Sequence, residues 1–486
     1  MTPASPDRCR VLELGCASGA NLLGLALRSP KSTFVGVDFV PAQIEAGRFA
    51  VSEMGLRNID LQLRSIVDIG DADGTFDYII CHGVYSWVPP DVQDAILRVC
   101  DRNLAPQGVA YVSYNTYPGW HRRAMLREMM MFHDDPSLDP DERVARARAF
   151  AAELAGVHAS SASTHAAALR EEVALVERQT NRHLFHEQLE PWNEPVYFSE
   201  FMRRAAAHRL GFLAEANLVV EPSAMVQLPD MLVAAGDRIR SEQYMDFVQG
   251  RMFRRTLLCH DGVHSSAEPV VDAIRQLRVR SRVEPVDPSA EDAARGPGVA
   301  AFRIPEGRTV TTNNPVIILT LMALVAVAPV VVAYEDLKRR VGDALAASNP
   351  PAPDSVASAI ADDEALLGAL LMCAKGGFVE FRVLPANAVA SAGVRPKASA
   401  LARWQALYSD EVTTLGNSPY RLVGAERFLI PHLDGTKDRA QLARVTGHGF
   451  TSGDLKLDGY TPTQESLLGI VESLLANLAR AELLVA

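Results

Sequence analysis

Apolar positions recur along the chain with two different periods. Near-continuous apolar runs at 11–14, 33–37, 59–63, 76–81 and 109–113 read as strands. The stretches between them, 22–27, 41–54 and 91–103, carry apolar residues at helical spacing, with Pro41 at a helix start. Strand and helix in alternation predict an α/β domain with a parallel sheet. From 122 onward helical spacing dominates: 122–132, 142–157, 171–190, 200–216 with a break at Gly211, and 241–258, with one short strand at 218–220. The remainder mixes the two periods. Strands and turns at 268–279, 300–304 and 308–311 surround a Pro/Gly/acid-rich loop at 285–297, and helices are expected at 315–327, 335–345 and 366–373. A strand at 378–383, a flexible stretch at 387–399, a turn at 417–420 and helices at 401–408, 439–445 and 462–484 complete the pattern. This divides the chain into an α/β domain (1–165), an α-rich middle domain (166–265), an α+β domain (266–385) and a C-terminal, winged-helix-like domain (386–486). No internal repeat is evident.

One apolar run is almost long enough to cross a bilayer, residues 316–333. Pro329 interrupts it, so it reads as a buried helix followed by a turn, and no membrane span is expected. The 486 residues are enough for two to four domains, and the formal charge of −11 with no long basic block argues against a nucleic-acid partner. Six cysteines, widely spaced and without a CxxC pair, read as reduced thiols of a cytoplasmic protein and not as a disulfide framework or metal site. His183 and His186 share a helix face, but no recognised ligand spacing accompanies them; they read as core or substrate-contacting residues, and no metal is expected.

Candidate chemistry starts at Val11-Leu12-Glu13-Leu14-Gly15-Cys16-Ala17-Ser18-Gly19-Ala20-Asn21, where an apolar strand enters a turn of small residues and a helix follows. Gly15 and Gly19 permit tight turning and close backbone approach to a ligand. The second strand ends at Asp38, placed to accept hydrogen bonds from a ribose diol. A dinucleotide site would put pyrophosphate beside the turn, where Glu13 would repel it; the same carboxylate suits the ammonium of an amino-acid moiety. S-adenosyl-L-methionine is therefore favoured over NAD. Cys16, Ala17, Asn21, Phe39, Ile66, Asp68 and His82 join these residues as cofactor candidates, Asp68 and Ile66 from the loop after the third strand and His82 from the end of the fourth.

A second cluster follows the next two strands. Tyr85 and Trp87 begin an aromatic loop, and Tyr114-Asn115-Thr116-Tyr117-Pro118-Gly119-Trp120-His121 lies just beyond the strand at 109–113. Aromatic faces can hold a cation and its methylated forms, and Asn115 or Tyr117 can align an attacking amine. His82 or His121 can relay a proton. The alternative for Tyr117 and Trp120 is to plug the sheet edge. Charged residues around Tyr244, Phe247, Met252 and Phe253 form either a docking face or, the favoured reading, the solvated side of an amphipathic helix.

The first motif resembles that of class I methyltransferases. Glu13 to Gly19, the Tyr114–Trp120 stretch, His186-Glu187-Gln188-Leu189-Glu190 with Asn193, Pro195, Tyr197 and Phe198, Asp246-Phe247 with Arg251, Phe253 and Arg254, and Leu433-Asp434-Gly435-Thr436 together resemble one family, methyltransferases with a regulatory domain, including the rickettsial lysine methyltransferases that act on an outer-membrane protein. The resemblance implies a Rossmann-like catalytic domain, a middle domain beside the active site, a C-terminal domain and a homodimer. It implies that Gly15, Asp38 and Asp68 hold the cofactor while Tyr85, Trp87, Asn115, Tyr117 and Trp120 border the transfer site. Two departures stand out: Ala20 where relatives often carry glycine, and only ten residues before the first strand, so that either the start is placed late or another segment or subunit is expected to close the pocket. The expected function is N-methylation of a protein or peptide, with lysine the most specific assignment. The alternatives are methylation of a natural product or other small molecule, and a cofactor-binding scaffold without activity.

Overall fold

The computed structural model describes residues 1–217, 236–263, 271–286, 299–305, 307–346, 363–385, 387–455 and 463–486. Its N-terminal half is built on a seven-stranded sheet: β1 (Arg10–Leu14), β2 (Thr33–Asp38), β3 (Ile59–Leu63), β4 (Phe76–Cys81), β5 (Leu104–Asn115), β6 (Leu210–Glu215) and β7 (Phe253–His260), in the order β3-β2-β1-β4-β5-β7-β6. The first five strands are parallel and β7 runs antiparallel between β5 and β6. Their apolar continuity follows from burial on both faces. Leu12 and Leu14 pack into one core with Ile79, Ile96 and Val112, while Val11 joins Leu22, Phe34 and Ile44 in another.

Helix α1 (Ala20–Arg28) starts behind Gly19, and α2 (Pro41–Glu53) and α3 (Pro90–Arg102) both start with proline, whose missing N–H leaves no helical hydrogen bond unmade there. The strand order reverses at β1 and β4. Ligands of open α/β sheets bind at such a crevice, outside the strand C-termini. Between β5 and β6 a helical block is inserted: α4 (Trp120–His133), α5 (Pro140–Val157), α6 (Thr164–Arg178), α7 (Asn181–Leu184) with a π-turn (Phe185–Leu189), and α8 (Phe198–Ala207). Asp139, Ser163 and Thr180 accept first-turn amide hydrogen bonds at three of the N-termini, as caps do.

Several expectations change here. The residues 210–215 and 253–258, expected as helix, lie in strands of the same sheet as β1, so the 166–265 segment completes the sheet as well as supplying helices. Helix α8 stops at Ala207 and Arg209 adopts φ 58°, so Gly211 lies in a strand and not in a broken helix. Helix α9 (Arg238–Gln249) ends at the left-handed Gly250, short of the expected 258. The strand expected at 218–220 lies outside the described residues. Nor are the charges at 246–255 simply a solvated face or a docking face. Arg254 and Asp246 are both fully buried, paired through Nε and Nη2 at 2.8 Å each, with Glu242 and Glu215 on the same guanidinium at 3.0 and 3.3 Å. The guanidinium also lies 3.8 Å from the Phe198 ring centre, locking α8, α9 and β7 together. Arg127 is buried and donates to the carbonyls of Glu187 and Glu190.

Residues 271–385 form a separate core around α10 (Pro315–Val325), which is capped by Asn314 and packed against α11 (Tyr334–Ala346) and α12 (Asp363–Lys375). The run at 316–333 is thus a core helix ending before Pro329, and no helix among the described residues is long and apolar enough to cross a membrane. After the short strands β8 (Arg278–Arg280), β9 (Glu284–Pro285), β10 (Ala300–Arg303), β11 (Thr309–Thr312), β12 (Val332–Ala333), β13 (Glu380–Arg382) and β14 (Lys397–Ala398), the C-terminal domain packs α13 (Ala400–Tyr408), α14 (Gly424–Leu429), α15 (Arg439–Ser452) and α16 (Gln464–Arg480) with a hairpin of β15 (Glu411–Thr413) and β16 (Pro419–Arg421). Its last helix ends at Arg480, and Leu484–Val485 returns to pair with Lys397–Ala398. This domain sits on α1 and α2: Leu401 packs with Leu23 and Ala50, and Trp404 and Tyr408 flank Phe49.

Candidate active site

The β1–α1 turn is shaped by two left-handed glycines, Gly15 (φ 69°) and Gly19 (φ 72°), with Ala17 also left-handed at 48°. The amides of Gly15 and Cys16 donate to the carbonyl of Val37, at 2.9 and 3.0 Å, tying the turn to the end of β2. A Cβ at Gly15 would lie 2.5 Å from Val84, so the turn and the segment after β4 meet at a distance only glycine allows. Asp38 braces the loop from the other side: one carboxylate oxygen accepts from the amide of Ala17 and the other from that of Val40, both at 2.9 Å. Each oxygen keeps a further lone pair. Phe39, beside it, is 73% exposed.

Glu13 is 5% exposed, and its Oε1 accepts from Asn21 Nδ2 at 2.9 Å. Its Oε2 has no hydrogen-bond partner among the described residues. Burial raises its pKa to about 7, partly offset by the Asn21 hydrogen bond. The folded chain therefore holds a proton here that the unfolded chain releases near 4.5. The stability contributed by Glu13 is complete below about pH 4.5 and lost as pH rises to about 7. Glu13→Gln, an isostere of the protonated acid, is accordingly expected to raise the unfolding free energy of the cofactor-free chain at pH 8 by on the order of 3 kcal/mol, and to change it little at pH 5. Equilibrium unfolding at the two pH values checks this.

The remaining candidates divide into three groups. Ile66 is buried and Asp68 exposed in a turn after β3 whose Asp68 carbonyl accepts from Arg64. His82 and Gly83 are gathered by Ser113, whose hydroxyl lies 2.9 Å from both His82 Nδ1 and the Gly83 amide; the Tyr111 hydroxyl is 3.1 Å from the same Nδ1. Tyr117 stacks on His121 at 4.1 Å, with the Tyr197 ring 5.3 Å away and its hydroxyl 3.3 Å from His121 Nε2. An open groove of about 590 Å³ beside this pair is lined by Met125, Glu128, Phe132 and Phe150. Burial raises the Tyr117 phenol pKa, helped by Tyr197, Glu128 and Glu194.

The other expected transfer-site residues lie in more enclosed surroundings. Tyr85 is fully buried between Tyr114 and Phe201, a core ring without access to a substrate. Trp87 packs against His186, ring centres 4.4 Å apart and the planes tilted by 40°. Asn115 is buried, its amide bonded to Ser86 and its side chain 3.4 Å from Asn193, and Trp120 is buried at the start of α4. Ser113, Val84 and Tyr197 take part in these clusters and were not expected there; nothing local in the sequence marks the first two, whereas Tyr197 belongs to the aromatic stretch of the family signature. On the same side of β1 as Glu13, a cavity of about 790 Å³ runs between Tyr78, His82, Tyr111 and Leu257 and ends at Arg382 and Leu384.

With this geometry in view, three family models match the chain: a methyltransferase domain over residues 11–108, a predicted methyltransferase regulatory domain over 180–260, and a PKMT C-terminal winged helix domain over 395–483. The chain is 40% identical over 287 residues to the uncharacterized protein RP789 of Rickettsia prowazekii, spanning about half (52%) of that protein with 59% of its own length. It is 38% identical over 205 residues to the uncharacterized protein RP028 of the same organism, using 42% of its own length and covering 82% of that protein. The solved structure of PKMT2 from Rickettsia typhi in complex with AdoHcy matches with a TM-score of 0.86 and 28% identity, covering all of this chain and 96% of that one. The chain belongs to the methyltransferases that carry this regulatory domain, and its first domain is an S-adenosylmethionine-dependent methyltransferase domain.

The residues fit that cofactor. Glu13 keeps a buried oxygen free for an ammonium group, Asp38 keeps lone pairs for a ribose diol, and Phe39 offers an exposed ring beside them. At Gly83 (φ 68°) a Cβ would meet nothing within 4 Å, leaving open space where β4 ends.

Proposed function

We propose that this member of the family is a protein N-methyltransferase acting on lysine side chains. The observation that carries the reading is the likeness to PKMT2 over the whole chain, the winged-helix domain included, and not merely over the nucleotide-binding fold. When bound, S-adenosylmethionine supplies a methyl group activated by a neighbouring sulfonium. Glu13 would take its ammonium end, the Gly15–Gly19 turn its carboxylate through backbone amides, and Asp38 its ribose.

The acceptor side falls to Tyr117, His121 and Tyr197. Their ring faces, with the negative field of Glu128 and Glu194 around Tyr117, favour a cationic side chain. A lysine amine, with a reference pKa of about 10.4, must lose its proton to act as a nucleophile. Desolvation among these rings would lower that value, and the His121 imidazole would take the proton. Six free cysteines support a reducing, cytoplasmic setting. The alternative acceptor, a small apolar molecule, draws support from the cavity between Tyr78, His82 and Tyr111.

Incubation of the purified chain with methyl-labelled S-adenosylmethionine and bacterial cell extract tests the reading. The expected result is label in protein, recovered as methylated lysine after hydrolysis. Label confined to small molecules would replace it with the alternative.

A further inference from the structure

The cofactor turn is not completed by the catalytic domain alone. The turn between β15 and β16 reaches back to α1, where Asn417 Nδ2 donates to Asn21 Oδ1 at 2.7 Å across 396 residues of sequence. Its approach is prepared on both sides. A Cβ at Gly24 would lie 2.2 Å from the Asn417 side chain, and Arg28 donates to the carbonyl of Leu415 at 2.7 Å. Asn417 itself is left-handed (φ 61°), a conformation asparagine tolerates. Gly416 packs against Arg280 and Glu482, which hold the turn from behind, and the Leu415 amide donates to the Glu482 carbonyl at 3.0 Å.

A primary amide has two unlike ends. With its oxygen engaged by Asn417, Asn21 can present only its NH₂ group to Glu13, which is the bond observed at 2.9 Å. We propose that Asn417 is a positioning residue of the cofactor site: the C-terminal domain fixes the Asn21 amide so that the Glu13 side chain is held toward the amino-acid end of the cofactor. The inference rests on the assignment of Glu13 to that end. It makes the C-terminal domain part of the cofactor site.

The thiols facing Glu13 stay protonated through the neutral range. Cys16, from the β1–α1 turn, is pushed up to about 12 by burial and by the charges of Glu13 and Asp38, and burial holds Cys81 of β4 well above its usual value. Asp38 lies beyond Cys16 at the end of β2, and Arg28 of α1 points to the C-terminal turn. Glu13 is the group in this cluster that changes charge near pH 7.

Calorimetric titration of the full chain and two variants between pH 6 and 8.5 tests the proposal, with S-adenosylmethionine and with 5′-methylthioadenosine, which lacks the amino-acid moiety. Asn417→Gly keeps the left-handed backbone and removes only the amide. It is expected to weaken S-adenosylmethionine about tenfold at pH 7.5 and to leave methylthioadenosine within about twofold. Asn417→Asp would turn the Asn21 oxygen toward Glu13, so a larger loss is expected. In both variants the pH at which affinity reaches half its alkaline value should move upward. Wild-type affinity and pH midpoint in both variants would overturn the inference while leaving the cofactor site intact. Failure of the unmodified chain to bind S-adenosylmethionine would instead overturn the site assignment beneath it. Equal losses for both ligands would also overturn the inference, since they would mark a general loosening of the turn.

Discussion

Replacing Asp38 by alanine is expected to weaken S-adenosylmethionine binding at least 100-fold. Two hydrogen bonds from ribose hydroxyls to a carboxylate are worth roughly 3 kcal/mol or more together, and each 1.4 kcal/mol is a factor of ten in affinity. A second loss adds to this one, because the same carboxylate holds the Ala17 and Val40 amides and so keeps the left-handed turn in place. Calorimetric titration measures the binding loss. Urea unfolding separates it from stability, which should fall by only about 1–2 kcal/mol since both orphaned amides lie at the edge of the crevice. An affinity within about threefold of the parent would place the ribose elsewhere.

Arg254→Met is expected to destabilise the chain by about 3–5 kcal/mol, the characteristic cost of leaving a buried charge without its partner. Asp246 is fully buried against that guanidinium, and Glu215 and Glu242 close the same cluster. Burial pushes the Asp246 carboxyl up even with Arg254 beside it, and without Arg254 only Arg251, 3.2 Å away, would be left to offset the buried charge. The double variant Arg254→Met with Asp246→Leu should recover most of the loss, because the pair is then replaced by apolar groups of similar bulk. Denaturant titration of the two single variants and the double provides the cycle. A small effect of Arg254→Met alone would show that water reaches the cluster.

The cofactor turn was legible because it is local. Strand, small-residue turn, helix and a terminal acid lie within residues 11–38, and the physics that demands glycine at 15 and 19 acts on neighbours in sequence. Strand β7 was harder. Its inward positions Arg254, Thr256 and Leu258 alternate correctly, but two of the three are polar, so the two-residue period was hidden by an ion pair visible only in three dimensions. Tyr85 illustrates a different limit. Its place after β4, at a strand end, is legible, yet position along a loop does not say which way a ring turns, and this one turns into the core. Asn417 was read only as part of a turn, for its partner stands 396 residues away.

The crevice at the ends of β1, β2 and β4 is assigned as the cofactor site. Hydrogen exchange with and without saturating S-adenosylmethionine, followed peptide by peptide in the full chain, tests this most directly. Slowed exchange should appear in peptides covering 13–21 and 38–40, with a smaller effect at 82–84. Protection confined to the cavity residues Tyr78 and Tyr111, or none in 13–40 despite saturation, would contradict the account.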